Sequence, residues 1–188
     1  AILTLLILAI MVVWYRGTLL EHKYRTDLRL KDHITTLSAL RDDNSIPLLS
    51  HNLVYLDKGR NTEYIDRDIL YSILDKDAKR ARAYWFLSVS VLDEPETMNY
   101  ELETYGTDYI FRIKLNLGFK CSQRINVYLR QIVQDLQMSG ELPPQDKKYS
   151  IYGKSTVGSF KFCMINKSVP TKAELSSMDE FILNAKYA

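Results

Sequence analysis

The residues able to do chemistry in this chain are few, and their spacing argues mostly against catalysis. His22, His33 and His51 are the only histidines, and separations of eleven and eighteen residues make no metal motif. His22 and His33 sit in a basic segment. His51 lies in an apolar run, where a hydrogen-bonded structural role is expected. A histidine can sense pH when a partner tunes it, but the sequence identifies no partner. The string GKST (153–156) ends like a phosphate-binding loop. That loop needs a glycine where Lys148 stands, and a helix afterwards. The residues that follow, VGSFKF, have strand character, so a hairpin turn is the expectation.

Carboxylates come as Asp42-Asp43, Asp66/Asp68 and Asp93-Glu94, each in a turn or near a helix start. Acid–base use of a pair requires one buried member with a raised pKa. Asp66 is better placed to cap a helix and meet its positive end. Cys121 and Cys163 are far apart, form no CxxC and have no nearby histidine to complete a ligand set. The sequence offers no glycine-flanked serine, no HExxH and no cysteine–histidine pair. The expectation is therefore a non-enzyme with no catalytic residue, no metal ligand and no cofactor; residues for any bound nucleotide stay unassigned. Among thirteen tyrosines, Tyr100, Tyr105, Tyr109, Tyr149 and Tyr152 gather around the strand-like segments. Tyrosine joins apolar area to a polar handle. It suits strand packing, a self-association surface or a stacked purine, and the pattern leaves these open.

The elements that must position these residues follow from periodicity. Residues 46–56 read as a buried strand, Asp66 to Leu74 as a helix, and 84–92 as an aromatic and β-branched strand. YELETY (100–105) and DYIFRIKLNLGF (108–119) alternate, with Gly106 between them. In the second, Tyr109, Phe111, Ile113, Leu115 and Leu117 share one face, and Arg112, Lys114 and Asn116 share the other. Such alternation predicts an antiparallel strand. Ile125 to Leu136 carries helical spacing that Gly140 stops. KYSIYG (within 147–153) and GSFKFCMIN (158–166) are strand-like, and Glu174 to Tyr187 is helical. Consecutive strands argue for an α+β fold: a mixed, largely antiparallel sheet with packed helices.

The first fifteen residues, AILTLLILAIMVVWY, carry no charge, and RGTLLEHKYRTDLRLK follows, rich in arginine and lysine. A membrane helix needs about 20 apolar residues, so 1–15 reads as the truncated end of one. Trp14 and Tyr15 suit a headgroup level, and the basic exit places residues 16–188 in the cytoplasm. Residues 16–45 read as a basic amphipathic linker, helical over 18–40, and 46–188 as the folded domain. A net charge of +2 gives no footprint for nucleic acid.

The ordered strings SIPLLSHNLVYL, AYWFLSVSVLDEP, YGTDYIFRIKLNLGF and YSIYGKSTVGSFKFCMI resemble the tail domain of the Kup (KUP/HAK/KT) potassium transporters. The apolar run ending in WYRGTLLE is similar to the end of their last transmembrane helix. The wording is closest to the form found in lactic acid bacteria and their relatives. The resemblance implies a C-terminal regulatory and dimerising domain of a proton-coupled, multi-pass potassium uptake transporter. Its ion-binding residues would stand on earlier membrane helices. It also implies a homodimer, the alternative of an α/β universal-stress-protein-like sandwich, and cyclic di-AMP as a ligand of some bacterial members. From the residues alone, a single-span membrane-anchored nucleotide-binding or enzymatic domain stands as the other reading.

Overall fold

A run of Leu, Ile, Ala, Met and Val with few helix breakers builds α1 (Ile2–Lys23). The structure, a computed structural model, describes residues 2–23, 27–57, 63–145 and 156–165, with 149, 179, 181, 182 and 185. Within α1, Ile2–Leu20 spans 19 residues at mean hydropathy 2.0, long and apolar enough to cross a membrane. At 1.5 Å per residue that stretch is about 28 Å, close to the ~30 Å hydrocarbon core of a bilayer. The helix does not stop with the charge-free run at Tyr15 but continues through Arg16.

Asp27–Ile165 form a second compact unit. The helix expected over 18–40 is broken. In its place are β1 (Asp27–Arg29), a 3-10 turn (Leu30–His33) and α2 (Ile34–Asp42). The cause is tertiary. Leu28 pairs opposite Ile65 in an antiparallel ribbon between β1 and β3 (Tyr64–Asp66), and the Leu30 amide donates to Glu63 O at 3.1 Å. Leu30 and Leu37 are fully buried, so core contacts override the local helical pattern.

The main sheet holds β2 (Ser50–Leu56), β4 (Ala81–Leu92), β5 (Met98–Glu103), β6 (Ile110–Gly118) and β7 (Phe160–Cys163), in the order β5-β6-β4-β2-β7. β2 starts at Ser50 rather than at residue 46, downstream of Pro47, which has no amide to donate. Helices packed on a mixed sheet match the expectation. The antiparallel share is smaller than expected, however: β2–β4, β2–β7 and β4–β6 are parallel, and only β5–β6 is antiparallel. Both faces of the sheet are covered, which is the setting that parallel strands need and which turns their sequences into near-continuous apolar runs.

On one face Leu53, Tyr55, Tyr84, Phe86 and Ile110 join Leu30, Leu37, Ile69 and Ile73 in one core cluster. These last come from the 3-10 turn, α2, α3 (Arg67–Tyr71) and a turn of π-helix at Ser72–Lys76. Asp66 caps α3, its carboxylate accepting the Asp68 amide at 3.1 Å. On the other face α4 (Ile125–Ser139) lays Leu129, Ile132, Val133 and Leu136 against Val54, Trp85, Leu87, Phe111 and Ile113. Trp85 and Phe111 stack there with centroids 4.3 Å apart. Gly140 ends α4 at φ 82°, a left-handed conformation that glycine adopts at little cost. The strand-like segment at 147–153 and the helical pattern at 174–187 lie outside the described residues, apart from isolated positions.

Candidate functional site

Three polar assemblies stand out in the Asp27–Ile165 unit, and two of them serve the architecture. In the first, Asn52 of β2 and Gln145 exchange amide bonds: Asn52 Nδ2 donates to Gln145 Oε1 at 2.6 Å, and Gln145 Nε2 donates to Asn52 Oδ1 at 2.9 Å. Trp85 Nε1 donates to the same Asn52 Oδ1 at 2.9 Å, and the Gly158 amide to Gln145 Oε1 at 3.2 Å. Every group is neutral and the side chains are buried. Such a closed network fixes one arrangement of its strands and leaves nothing to react.

His51 adjoins it. Its Nδ1 lies 3.0 Å from Ser159 Oγ, a distance compatible with a base and its nucleophile. The Ser159 amide also donates to that nitrogen at 3.3 Å, and the His51 amide donates to Ser159 Oγ at 3.2 Å. The pair is thus woven into the join between β2 and the approach to β7. This is the structural histidine that the apolar run predicted.

The second assembly is an ion pair within the core. Arg112, on the face shared with α2 and α3, places Nη2 2.5 Å from Asp57 Oδ2 and donates from Nη1 to Tyr64 O at 2.8 Å. Tyr105 hydrogen-bonds to the same guanidinium; burial pushes its phenol above the ordinary value, although Arg112 pulls the other way.

The third is open. A cavity of about 320 Å³ is lined by Arg41, Arg80 and Arg82, with Asp42, Asp108, Asn44, Leu48, Leu142, Pro143, Pro144 and Gln145 around them. It sits where β2 and β4 begin and where the chain enters β6. Burial alone would lower the pKa of Arg41, but bonds to Asp42 at 3.1 Å and Asp108 at 3.0 Å outweigh it and hold the guanidinium above its usual value. The same group lies 4.5 Å from the Tyr109 ring centroid. Arg80 is held by neutral acceptors only: Nε donates to Arg41 O at 2.9 Å, Nη1 to Ile46 O at 3.1 Å and Nη2 to Asn44 Oδ1 at 2.5 Å. Arg82 is exposed and has no ion pair among the described residues.

The residues singled out by type fall elsewhere. Asp43 accepts from the Ser45 hydroxyl and amide, which lower its pKa in that order, and Glu94 accepts from Thr97 Oγ1 at 2.6 Å. His33 precedes α2; the side chain of His22 lies outside the described residues. Cys121 and Cys163 are free thiols. No group of three or more potential metal ligands occurs among the described residues. The tyrosines among the described residues do not converge. Tyr100 and Tyr149 are exposed, Tyr109 is buried with its hydroxyl donating to Ile34 O at 3.2 Å, and Tyr152 is outside the described residues. Sequence reasoning misses the arginine cavity, although KRAR (79–82), which runs into the start of β4, carries the signal.

The sequence pattern of a family described as K+ potassium transporter C-terminal domain matches residues 50–183. The chain belongs to this family. The K+ transporter C-terminal domain thus takes in β2 through β7 and the networks and ion pair described above. Curated relatives agree: the "Probable potassium transport system protein Kup" of Enterococcus faecalis is 43% identical over 97% of this chain and 27% of that protein. The protein of the same name from Streptococcus pyogenes serotype M5 is 45% identical over 98% of this chain and 28% of its own length. The chain therefore spans little more than a quarter of these relatives. No solved structure matches it.

Proposed function

We propose that this chain is the C-terminal part of a proton-coupled potassium uptake transporter, in which the Asp27–Ile165 unit regulates and pairs transporter subunits. The family match over residues 50–183 carries the reading. An apolar α1 that is long enough to span a bilayer supports it, as does a folded unit in which two of the three polar assemblies hold structure. In this reading residues 1–15 are the end of the last membrane helix and residues 16–188 are cytoplasmic, with Arg16 just beyond Trp14 and Tyr15. Potassium and protons pass through earlier helices. The domain is a homodimer and responds to cyclic di-AMP.

The test uses the full-length gene in cells that lack other potassium uptake. Ending the protein before residue 46 is expected to leave membrane insertion intact, abolish crosslinked dimers and release uptake from control by cyclic di-AMP. Unchanged dimer yield and unchanged regulation would overturn the regulatory role. A gene whose reading frame opens a few codons before Ala1 would favour a single-span anchored nucleotide-binding or enzymatic domain instead.

A further inference from the structure

We infer that the cavity of Arg41, Arg80 and Arg82 is a binding site for a soluble phosphate-bearing anion. The inference gives the regulatory reading a place to act and rests on that reading for its purpose, while the binding itself is independent of it. The geometry carries it in three steps.

First, charge: three guanidinium groups meet two carboxylates, and both carboxylates, Asp42 and Asp108, are engaged with Arg41 alone. Asp43, outside the lining, offsets part of the charge of Arg80, whereas Arg82 makes no ion pair among the described residues, so its positive charge is left for a visitor. Second, preorganisation: Arg80 is fixed by three bonds to neutral acceptors around Asn44, Arg41 and Ile46, so its fork is already held before a ligand arrives. Those bonds use three of its five donors, and a planar fork of arginine donors matches phosphate oxygens in paired hydrogen bonds. Third, shape: Pro143 and Pro144 form part of the wall together with Leu48 and Leu142. Proline has no amide to donate, so this side offers apolar contact to whatever carries the phosphate. A volume near 320 Å³ falls at the small end of ligand sites, room for one phosphorylated group and a ring or short chain.

Titration calorimetry of the 1–188 chain in detergent with inorganic pyrophosphate tests the idea, with cyclic di-AMP and a short-chain phosphatidylglycerol in parallel. One saturable pyrophosphate site per chain is expected, weakening as salt rises. Arg82→Glu is expected to weaken it at least tenfold with an unchanged melting temperature, because that exposed side chain holds no other element. Arg80→Ala removes binding too, but also cuts backbone anchors, so Arg82→Glu decides. Non-saturable binding, or equal affinity in Arg82→Glu, would overturn the inference, as would Arg82-dependent capture of the lipid without the soluble anions. Pyrophosphate binding without cyclic di-AMP binding upholds the site and removes only that ligand from the regulatory reading.

Discussion

Arg112 in β6 reaches across β4 to Asp57 at the end of β2, and the two side chains are only 6% and 4% exposed. An ion pair this deep repays its desolvation only while both members are present. Asp57→Ala is therefore expected to lower stability by about 3–5 kcal/mol, because it strands a buried guanidinium. Replacing both residues together, Asp57→Leu with Arg112→Met, is expected to recover most of that loss. Urea unfolding of the three proteins in detergent measures the comparison; a double variant no better than Asp57→Ala would contradict the account.

The buried tyrosines predict an alkaline limit. Burial pushes Tyr55 up to about 12, with the Ser72 hydroxyl acting against it, and burial raises Tyr84 as well. A phenol whose pKa is raised by folding stabilises the folded state below its unfolded value, and that contribution is lost as pH rises through the folded value. Stability should hold to about pH 10 and fall between there and pH 12. Tyr55→Phe is expected to flatten this decline in melting temperature while costing the bond to Ser72 Oγ.

Gly158 has no room for a side chain. A Cβ there would collide with His51 Cβ and stand 2.8 Å from Gln145 Oε1. Gly158→Ala is expected to cost about 1–3 kcal/mol through overpacking. Thermal melting reads the loss, and new amide chemical shifts at His51 and Asn52 would locate it.

Asn52→Ala removes the hub on which Trp85 and Gln145 converge. Each buried donor left without an acceptor costs about 1–3 kcal/mol. A red-shifted or broadened Trp85 emission alongside reduced stability is the expected result; Trp14 lies in α1 and is replaced by Phe in the background to isolate the signal.

The elements visible in the sequence were those whose pattern is local. Helical spacing and Gly140 marked α4, Asp66 marked a capped start, and the alternation from Phe111 to Leu117 placed the two faces of β6. What escaped depended on distant partners. Leu28 and Leu30 fit a helix until Ile65 and Glu63 draw them into a ribbon. The alternation that predicts antiparallel pairing for β6 is met on one side only, by β5; on the other side β6 runs parallel to β4, and its polar row includes Arg112, which is buried because Asp57 neutralises it two strands away. The arginine cavity is also assembled from the ends of separate segments, so only the basic cluster at 79–82 was legible.

The pairing of Asn52 with Phe160 has a temporal consequence. His51 and Ser159, which flank that join, are 108 residues apart, and nearly the whole unit is made between them. At about 5–20 residues per second on the ribosome, β2 waits roughly 5–20 s for the strand that covers its outer edge. During that interval a nascent chain presents an apolar parallel edge. Synthesis of this domain is thus a period of exposure to aggregation, and slowing translation between residues 57 and 159 should lower the yield of folded protein more than slowing it earlier.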